Sequence, residues 1–122
     1  MRSPLTGSAV FFVLLAASTA VAADQPVDFV RDVRPILSDK CFKCHGPDEN
    51  ARQGELRLDL EAAARKVISP GKPAASELLK RITSTDPDHR MPPADSNRVL
   101  SKRDIDILSR WINGGGRYKE HW

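Results

Sequence analysis

The sequence predicts a small all-α domain with one short extended segment. Apolar residues recur at helical spacing in residues 28–40 and in residues 101–113, each time beside a residue that can cap a helix N-terminus. Leucines alternate with charged residues at positions 56–60, which indicates a short extended segment near 55–60 with one buried face. No strand-helix-strand alternation surrounds position 41, so the pattern does not favour an α/β fold.

The first predicted helix covers residues 28–40. Asp28 can cap its N-terminus, and Val27 can pack against the first turn. Pro35 lacks a backbone N–H, so we expect a kink or two short helical pieces. The apolar face of this helix is made by Phe29, Val33, Ile36 and Leu37.

Residues 41–45 read Cys-Phe-Lys-Cys-His and contain both cysteines of the sequence. On one helical turn, positions i, i+3 and i+4 share a face, so Cys41, Cys44 and His45 can address the same planar group. This is the spacing of covalent haem c attachment, in which two thiols become thioethers and the imidazole binds the iron. The Gly-Pro pair that follows is expected to end the turn.

Two other chemistries use a Cys-x-x-Cys pair. A redox-active dithiol or a disulfide leaves His45 without a role, and thioredoxin-like pairs belong to a βαβ pattern that is missing around position 41. A zinc site needs a second pair of ligands, and the remaining histidines, His89 and His121, are isolated in the sequence. The motif therefore predicts one covalently bound haem, with Cys41 and Cys44 as thioethers and His45 as proximal ligand.

Between the motif and residue 83 the sequence predicts two short helices. Alanine-rich residues 61–66 favour one or two helical turns, and residues 69–73, with two prolines and a glycine, indicate a turn. Ser76 is expected to cap a further helix, with Glu77 in its first turn. That helix would bury Leu78, Leu79 and Ile82.

Met91 is the predicted distal ligand. A thioether is a soft, neutral ligand suited to iron, and Met91 lies far enough along the chain from His45 to reach the opposite haem face. Pro92 and Pro93 stiffen the loop, which lowers the entropy cost of holding the sulfur at the metal. Met91 as a plain core residue and His89 as the distal ligand stay open as alternatives.

The last predicted helix is the clearest one. Ser101 can form a capping box with Asp104, and Asn113-Gly114 is expected to end the helix as a left-handed cap. Trp111 is expected to pack in the core, against the first helix or the haem edge. The apolar stripe of this helix consists of Ile105, Leu108, Trp111 and Ile112.

The N-terminus has the three-part pattern of a secretory signal peptide. Arg2 precedes an apolar run over residues 9–17, and small residues lead to a cleavage site after Ala22 or Ala23. The run is short for a membrane span, so we expect residues 1–23 to be removed and residues 24–122 to form one exported domain without a stable span. A retained N-terminal anchor is the alternative.

Charge excludes one class of partner. The chain has 19 Lys and Arg against 16 Asp and Glu, a formal net charge of +3. The two signs are interspersed, and no basic stripe with aromatic residues is present, so we do not expect nucleic acid binding.

Several separated motifs together resemble the Planctomycete-type cytochrome c domain, a class I-like c-type cytochrome. These motifs are residues 33–37, 41–47, 56–59, 76–79, 90–93 and 111–112. The resemblance implies a small cytochrome c-like fold of about four or five helices around one covalently bound haem, with His45 and Met91 as axial ligands. It also implies that such domains usually form the N-terminal part of longer exported proteins.

The sequence thus predicts a carrier of single electrons that serves an unidentified redox partner protein and is not itself an enzyme. Whether the domain acts alone or with a missing or separate enzymatic part stays open. Two other function classes also stay open: a haem module that binds or senses a small ligand, and a haem-free thiol-disulfide protein.

Overall fold

The computed structural model describes residues 2–14 and 25–120. Over these residues the chain forms helices and no β-strand, which confirms the all-α prediction. The α-helices are α1 (Arg34–Lys40), α2 (Glu61–Ala64), α3 (Glu77–Thr83) and α4 (Lys102–Asn113). A π-helical turn, Phe29–Val33, precedes α1, and two short 3₁₀ turns cover Pro73–Ala75 and Ala94–Ser96.

The N-terminal residues 2–14 have neither helix nor strand, and their side chains are exposed. In the part of the chain that the structure describes, no helix is long and apolar enough to cross a membrane. The predicted cleavage sites, after Ala22 or Ala23, lie outside the described residues.

The first helical segment forms two pieces, as Pro35 predicted. The Asp28 carboxylate caps the π-helical turn by accepting a 2.8 Å hydrogen bond from the Arg31 N–H. Helix α1 begins at Arg34 and follows the π-helical turn directly, so Pro35, which has no N–H to donate, lies where one helical form changes to the other.

Ser76 precedes α3 as predicted, but its side chain does not cap that helix. The hydroxyl accepts a 2.8 Å hydrogen bond from the Ser69 N–H and donates a 2.9 Å bond to the Lys72 carbonyl. Ser76 is fully buried. The predicted cap is wrong because the buried turn before α3 needs partners for its own backbone groups, and Ser76 supplies them.

Helix α4 has the predicted capping box. The Asp104 N–H donates to the Ser101 hydroxyl at 3.0 Å, and the Ser101 N–H donates to the Asp104 carboxylate at 3.0 Å. Both bonds satisfy backbone donors that a helix N-terminus leaves unpaired, so the start of α4 is fixed locally.

The predicted left-handed cap at Asn113-Gly114 is wrong. Gly114 has φ −79°, and the positive φ angles follow it, at Gly115 (+117°) and Gly116 (+58°). The Gly116 N–H donates to the Trp111 carbonyl at 2.9 Å. A Cβ at Gly116 would lie 3.0 Å from the Ile68 side chain, so both backbone conformation and packing favour glycine there.

An aromatic cluster joins the start of the domain to its end. The Phe29 ring lies 5.7 Å from the Trp111 ring and 4.6 Å from the Tyr118 ring, measured between centroids. The Trp111 indole N–H donates to the Arg117 carbonyl at 2.9 Å. Trp111 therefore packs in the core against the first helical segment, as predicted.

The short extended segment is only partly as predicted. Leu58 is buried and Leu56 is partly buried, but Leu60 is 45% exposed, so the three leucines do not share one buried face. No strand forms, because the Leu58 N–H donates to the His45 carbonyl at 2.8 Å instead of to a neighbouring strand.

Candidate functional site

The Cys-x-x-Cys-His motif lies on one helical turn directly after α1. The Cys41 N–H donates to the Leu37 carbonyl at 2.9 Å, and the His45 N–H donates to the Cys41 carbonyl at 2.8 Å. Helix α1 itself ends at Lys40, so the motif begins where the regular helix stops. The i to i+4 hydrogen bond keeps the spacing that places Cys41, Cys44 and His45 near one another.

Gly46 is needed where the chain leaves this turn. It is buried, and a Cβ atom built on it would collide with the Phe42 carbonyl oxygen. Any larger residue would force the backbone of the motif apart.

A cavity of about 440 Å³ lies beside the motif. Cys41, Cys44, His45 and Met91 all line it, although Met91 is distant from the motif in the sequence. This volume lies within the usual range for small-molecule and cofactor sites. The apolar part of the wall is formed by Leu37, Leu56, Leu58, Val67, Leu78, Ile82 and Leu108.

His45 is held by a hydrogen bond between its ring and the backbone. Its Nδ1 atom lies 3.1 Å from the Gln53 carbonyl oxygen. If Nδ1 carries the proton, the lone pair of Nε2 is available for a metal. Burial lowers the pKa of His45, which favours the neutral imidazole that binds iron.

The two cysteines are partly buried and are not joined by a disulfide. Burial, together with the nearby Cys44, raises the pKa of the Cys41 thiol to about 12. At neutral pH Cys41 is therefore protonated, and its low thiolate content makes it a poor nucleophile for disulfide exchange.

Met91 reaches the cavity from the loop that follows α3. Its N–H donates to the Arg81 carbonyl at 3.1 Å, which ties the loop to the last turn of α3. The Met91 side chain is partly buried and packs against the hydrophobic core. Met91 therefore both packs against the hydrophobic core and lines the cavity.

His89 does not line the cavity. Its side chain is exposed, and its N–H donates to the Asp86 carbonyl at 3.0 Å in a surface turn. Of the two distal-ligand candidates, Met91 is therefore the one beside the motif. His121 lies outside the described residues.

The zinc alternative finds no support in the described ranges, 2–14 and 25–120. No group of three or more His, Cys, Asp or Glu side chains there could hold a metal ion.

The basic lining of the cavity is a feature that sequence reasoning missed. Five Lys and Arg side chains line it, against one carboxylate, Glu55. Since acidic and basic residues alternate throughout the chain, nothing in the sequence pattern marks this set. The five residues are Lys40, Lys43, Lys66, Arg81 and Arg98.

The donor set fits a covalently bound haem. Two thiols, an imidazole and a thioether line one cavity whose wall is largely apolar, as a porphyrin with two axial ligands requires. Basic side chains at the same cavity suit a group that carries carboxylates.

The comparison with known families agrees with this chemistry. Residues 41–95 match the model of a family described as Planctomycete cytochrome C, which confirms the predicted resemblance. No curated protein and no solved structure matches the chain significantly. The matched segment contains the Cys-x-x-Cys-His motif, Met91 and most of the cavity wall.

Proposed function

Because residues 41–95 match the model of the Planctomycete cytochrome C family, we propose that this chain is an exported mono-haem c-type cytochrome domain that carries single electrons. Cytochrome c domains of this kind imply haem c and are generally electron carriers. In this proposal Cys41 and Cys44 hold the haem as thioethers, His45 is the proximal ligand and Met91 is the distal ligand.

One observation carries the proposal. Met91 lines the same 440 Å³ cavity as Cys41, Cys44 and His45. Residues that are distant in the sequence share one cavity only if the fold brings them there. A thiol-disulfide protein would have no use for Met91 or for a largely apolar cavity beside its cysteines.

The protein residues would fix the geometry and tune the iron. The bound haem supplies a metal that accepts and releases one electron. The Gln53 carbonyl orients the His45 ring, and the Arg81 carbonyl positions the Met91 loop. His45 and Met91 would both hold the iron, so no substrate would need to bind the metal.

The cavity wall would raise the reduction potential. Leucine, isoleucine and valine side chains exclude water, which disfavours the more highly charged oxidised site. A neutral thioether from Met91 favours ferrous iron in the same direction. The domain would thus act as a carrier for a separate redox partner protein.

Export fits the chemistry of attachment. Residues 1–23 have the pattern of a secretory signal peptide, and cytochrome c domains are typically exported. Bacterial haem attachment takes place outside the cytoplasmic membrane, so this domain would receive its haem in the periplasm or another exported compartment.

The test is the mass of the exported protein. The full chain is produced in bacteria that contain haem-maturation machinery, together with a variant in which Cys41 and Cys44 are both alanine. The proposal expects an intact mass that includes one haem for the wild type and none for the double variant. A colourless wild type from cells that load another c-type cytochrome would disprove haem attachment.

Electron transfer is tested separately on the loaded protein. A reversible one-electron couple, with no binding of carbon monoxide by the reduced protein, is the expected result. Binding of carbon monoxide without loss of fold would favour a ligand-binding module instead.

A further inference from the structure

The Arg52 side chain binds the backbone directly after the Cys-x-x-Cys-His motif. Its Nε donates to the Gly46 carbonyl at 3.0 Å, and its Nη2 donates to the Pro47 carbonyl at 3.3 Å. Carbonyls at the end of a helical turn have no partner within that turn, so they need donors from elsewhere. One partly buried arginine supplies those donors and thereby closes the loop that leaves the motif.

The position of Arg52 is not explained by a carboxylate. No ion pair in the part of the chain that the structure describes includes Arg52. The pKa of Asp59 is lowered chiefly by the hydrogen bond of Arg57, with which it pairs at 2.6 Å, with a smaller contribution from the charge of Arg52. The hydrogen bonds of the Arg52 guanidinium go to neutral backbone groups of the motif instead.

The residue that follows Arg52 contacts the proximal histidine. The Gln53 N–H donates to the Cys44 carbonyl at 2.7 Å, and the Gln53 carbonyl oxygen lies 3.1 Å from His45 Nδ1. Gln53 is exposed, and so are residues 48–50 of the same loop. Since burial does not fix the Gln53 carbonyl, its position depends on the hydrogen bonds that tie the loop to the motif.

Resting on the proposed function, we infer that Arg52 is a positioning residue for the proximal ligand, because it holds the loop in which the Gln53 carbonyl orients the His45 ring. The loop between Gly46 and Gln53 cannot open without breaking the two Arg52 hydrogen bonds. Hydrogen bonds from a charged donor are about twice as strong as neutral ones, which suits an exposed loop. A hydrogen bond from Nδ1 also makes Nε2 a more basic ligand, so Arg52 would act on the iron through His45.

The exchange of the His45 Nδ1 proton with water is the property that isolates this role. The reduction potential alone would not, because losing the Arg52 charge lowers it and weakening the Nδ1 hydrogen bond raises it. Exchange of the Nδ1 proton requires its hydrogen bond to open. Loss of a positive charge repels hydroxide less weakly than before, so the charge change alone would not accelerate base-catalysed exchange.

The experiment compares the haem-loaded wild type with Arg52→Gln and Arg52→Lys. Intact mass first establishes that each protein carries one haem, and the exchange rate is then measured on the ¹⁵N-labelled ferrous protein by saturation transfer from water. We expect exchange of the His45 Nδ1 proton to be about tenfold faster in Arg52→Gln. The increase should be smaller in Arg52→Lys, whose ammonium keeps the charge but lacks the planar fork that reaches both carbonyls.

Arg65→Gln is the matched control. Arg65 is also partly buried, and its Nη1 donates to the Gly115 and Gly116 carbonyls at 3.4 and 3.1 Å. The substitution therefore removes two arginine-to-carbonyl hydrogen bonds, together with the ion pair to Glu61, at residues that do not line the cavity. We expect a lower thermal stability but an exchange rate of the His45 Nδ1 proton within about twofold of the wild type.

Three outcomes overturn the inference. The first is a haem-loaded Arg52→Gln that exchanges the Nδ1 proton at the wild-type rate, even if its thermal stability falls. The second is an equal acceleration in Arg65→Gln, which would make the effect a general loss of stability. The third needs no variant that folds: in the wild type the Arg52 Nε–H should exchange about tenfold more slowly than that of the exposed Arg103, and equal rates would contradict its binding to Gly46. A wild type without haem would refute the proposed function instead.

Discussion

The Tyr118 hydroxyl donates a 2.5 Å hydrogen bond to the Leu58 carbonyl, which is 60 residues earlier in the chain. Leu58 in turn donates its N–H to the His45 carbonyl at 2.8 Å. Burial raises the pKa of Tyr118, so its hydroxyl remains a donor at neutral pH. The C-terminal segment thus supports the backbone that follows the Cys-x-x-Cys-His motif, although Tyr118 lies outside the residues that match the family model.

Replacing Tyr118 by phenylalanine should lower the free energy of unfolding by about 1–2 kcal/mol. The ring contacts with Phe29 and Trp111 would remain, but the partly buried Leu58 carbonyl would lose its donor. Urea unfolding of the haem-loaded protein measures the change. Tyr118→Leu, which also removes the ring, should lose more, and a Phe variant as stable as the wild type would show that the hydrogen bond is unimportant.

Gly46→Ala should destabilise the domain by about 1–3 kcal/mol and reduce the yield of haem-loaded protein. The added Cβ would collide with the Phe42 carbonyl oxygen, so the turn that holds Cys44 and His45 must shift. Thermal unfolding and absorbance of the exported protein measure both effects.

Gly114→Ala is the matched control for this substitution. Gly114 has φ −79°, and a Cβ there would lie 3.5 Å from its nearest atoms, which is ordinary contact. We expect its stability to stay within about 0.5 kcal/mol of the wild type. If the two alanine variants had the same stability and the same yield of haem-loaded protein, the close approach of Gly46 to the Phe42 carbonyl would not matter for either quantity.

Asp32 should contribute a pH-dependent part of the stability. The hydrogen bond and charge of Arg31 lower the pKa of Asp32 from 3.8 to about 2, and the Asp28 N–H adds a further hydrogen bond. A carboxylate with a lowered pKa stabilises the fold above pH 3.8, and this stabilisation disappears as the pH falls towards 2.

The test compares the wild type with Asp32→Asn and Arg31→Gln by urea unfolding between pH 7 and 2. Both variants should be less stable than the wild type at pH 7, and the difference should shrink below about pH 4. A difference that stays constant down to pH 2 would mean that ionisation of Asp32 does not contribute to the stability of the fold.

Features with local causes could be predicted from the sequence. Asp28 and Ser101 cap their helices because a capping hydrogen bond involves residues only three positions away. The Cys-x-x-Cys-His turn is local for the same reason. Met91 could be chosen as a candidate ligand because its chemistry suits iron, although only the fold shows that it lines the same cavity as His45.

Features that depend on distant contacts could not be predicted. Ser76 has the sequence signature of an N-cap, but the buried turn before α3 takes its hydroxyl. Leu60 continues an alternating pattern yet is exposed, because the chain turns into α2 directly after it. Arg98 resembles any surface arginine until packing places it beside the cavity.

Met91 and His89 give opposite expectations on substitution. Met91→Ala should keep the covalent haem, lower the reduction potential and open the sixth coordination position, because the thioether that favours ferrous iron is lost. His89→Ala should leave the spectrum and potential unchanged, since His89 is exposed and does not line the cavity. Absorbance spectra, potentiometry and carbon monoxide binding to the reduced proteins separate the two residues. A changed spectrum in His89→Ala, together with an unchanged spectrum in Met91→Ala, would show that His89 is the distal ligand. In that case the loop in which the Met91 N–H donates to the Arg81 carbonyl would have to rearrange when the haem binds.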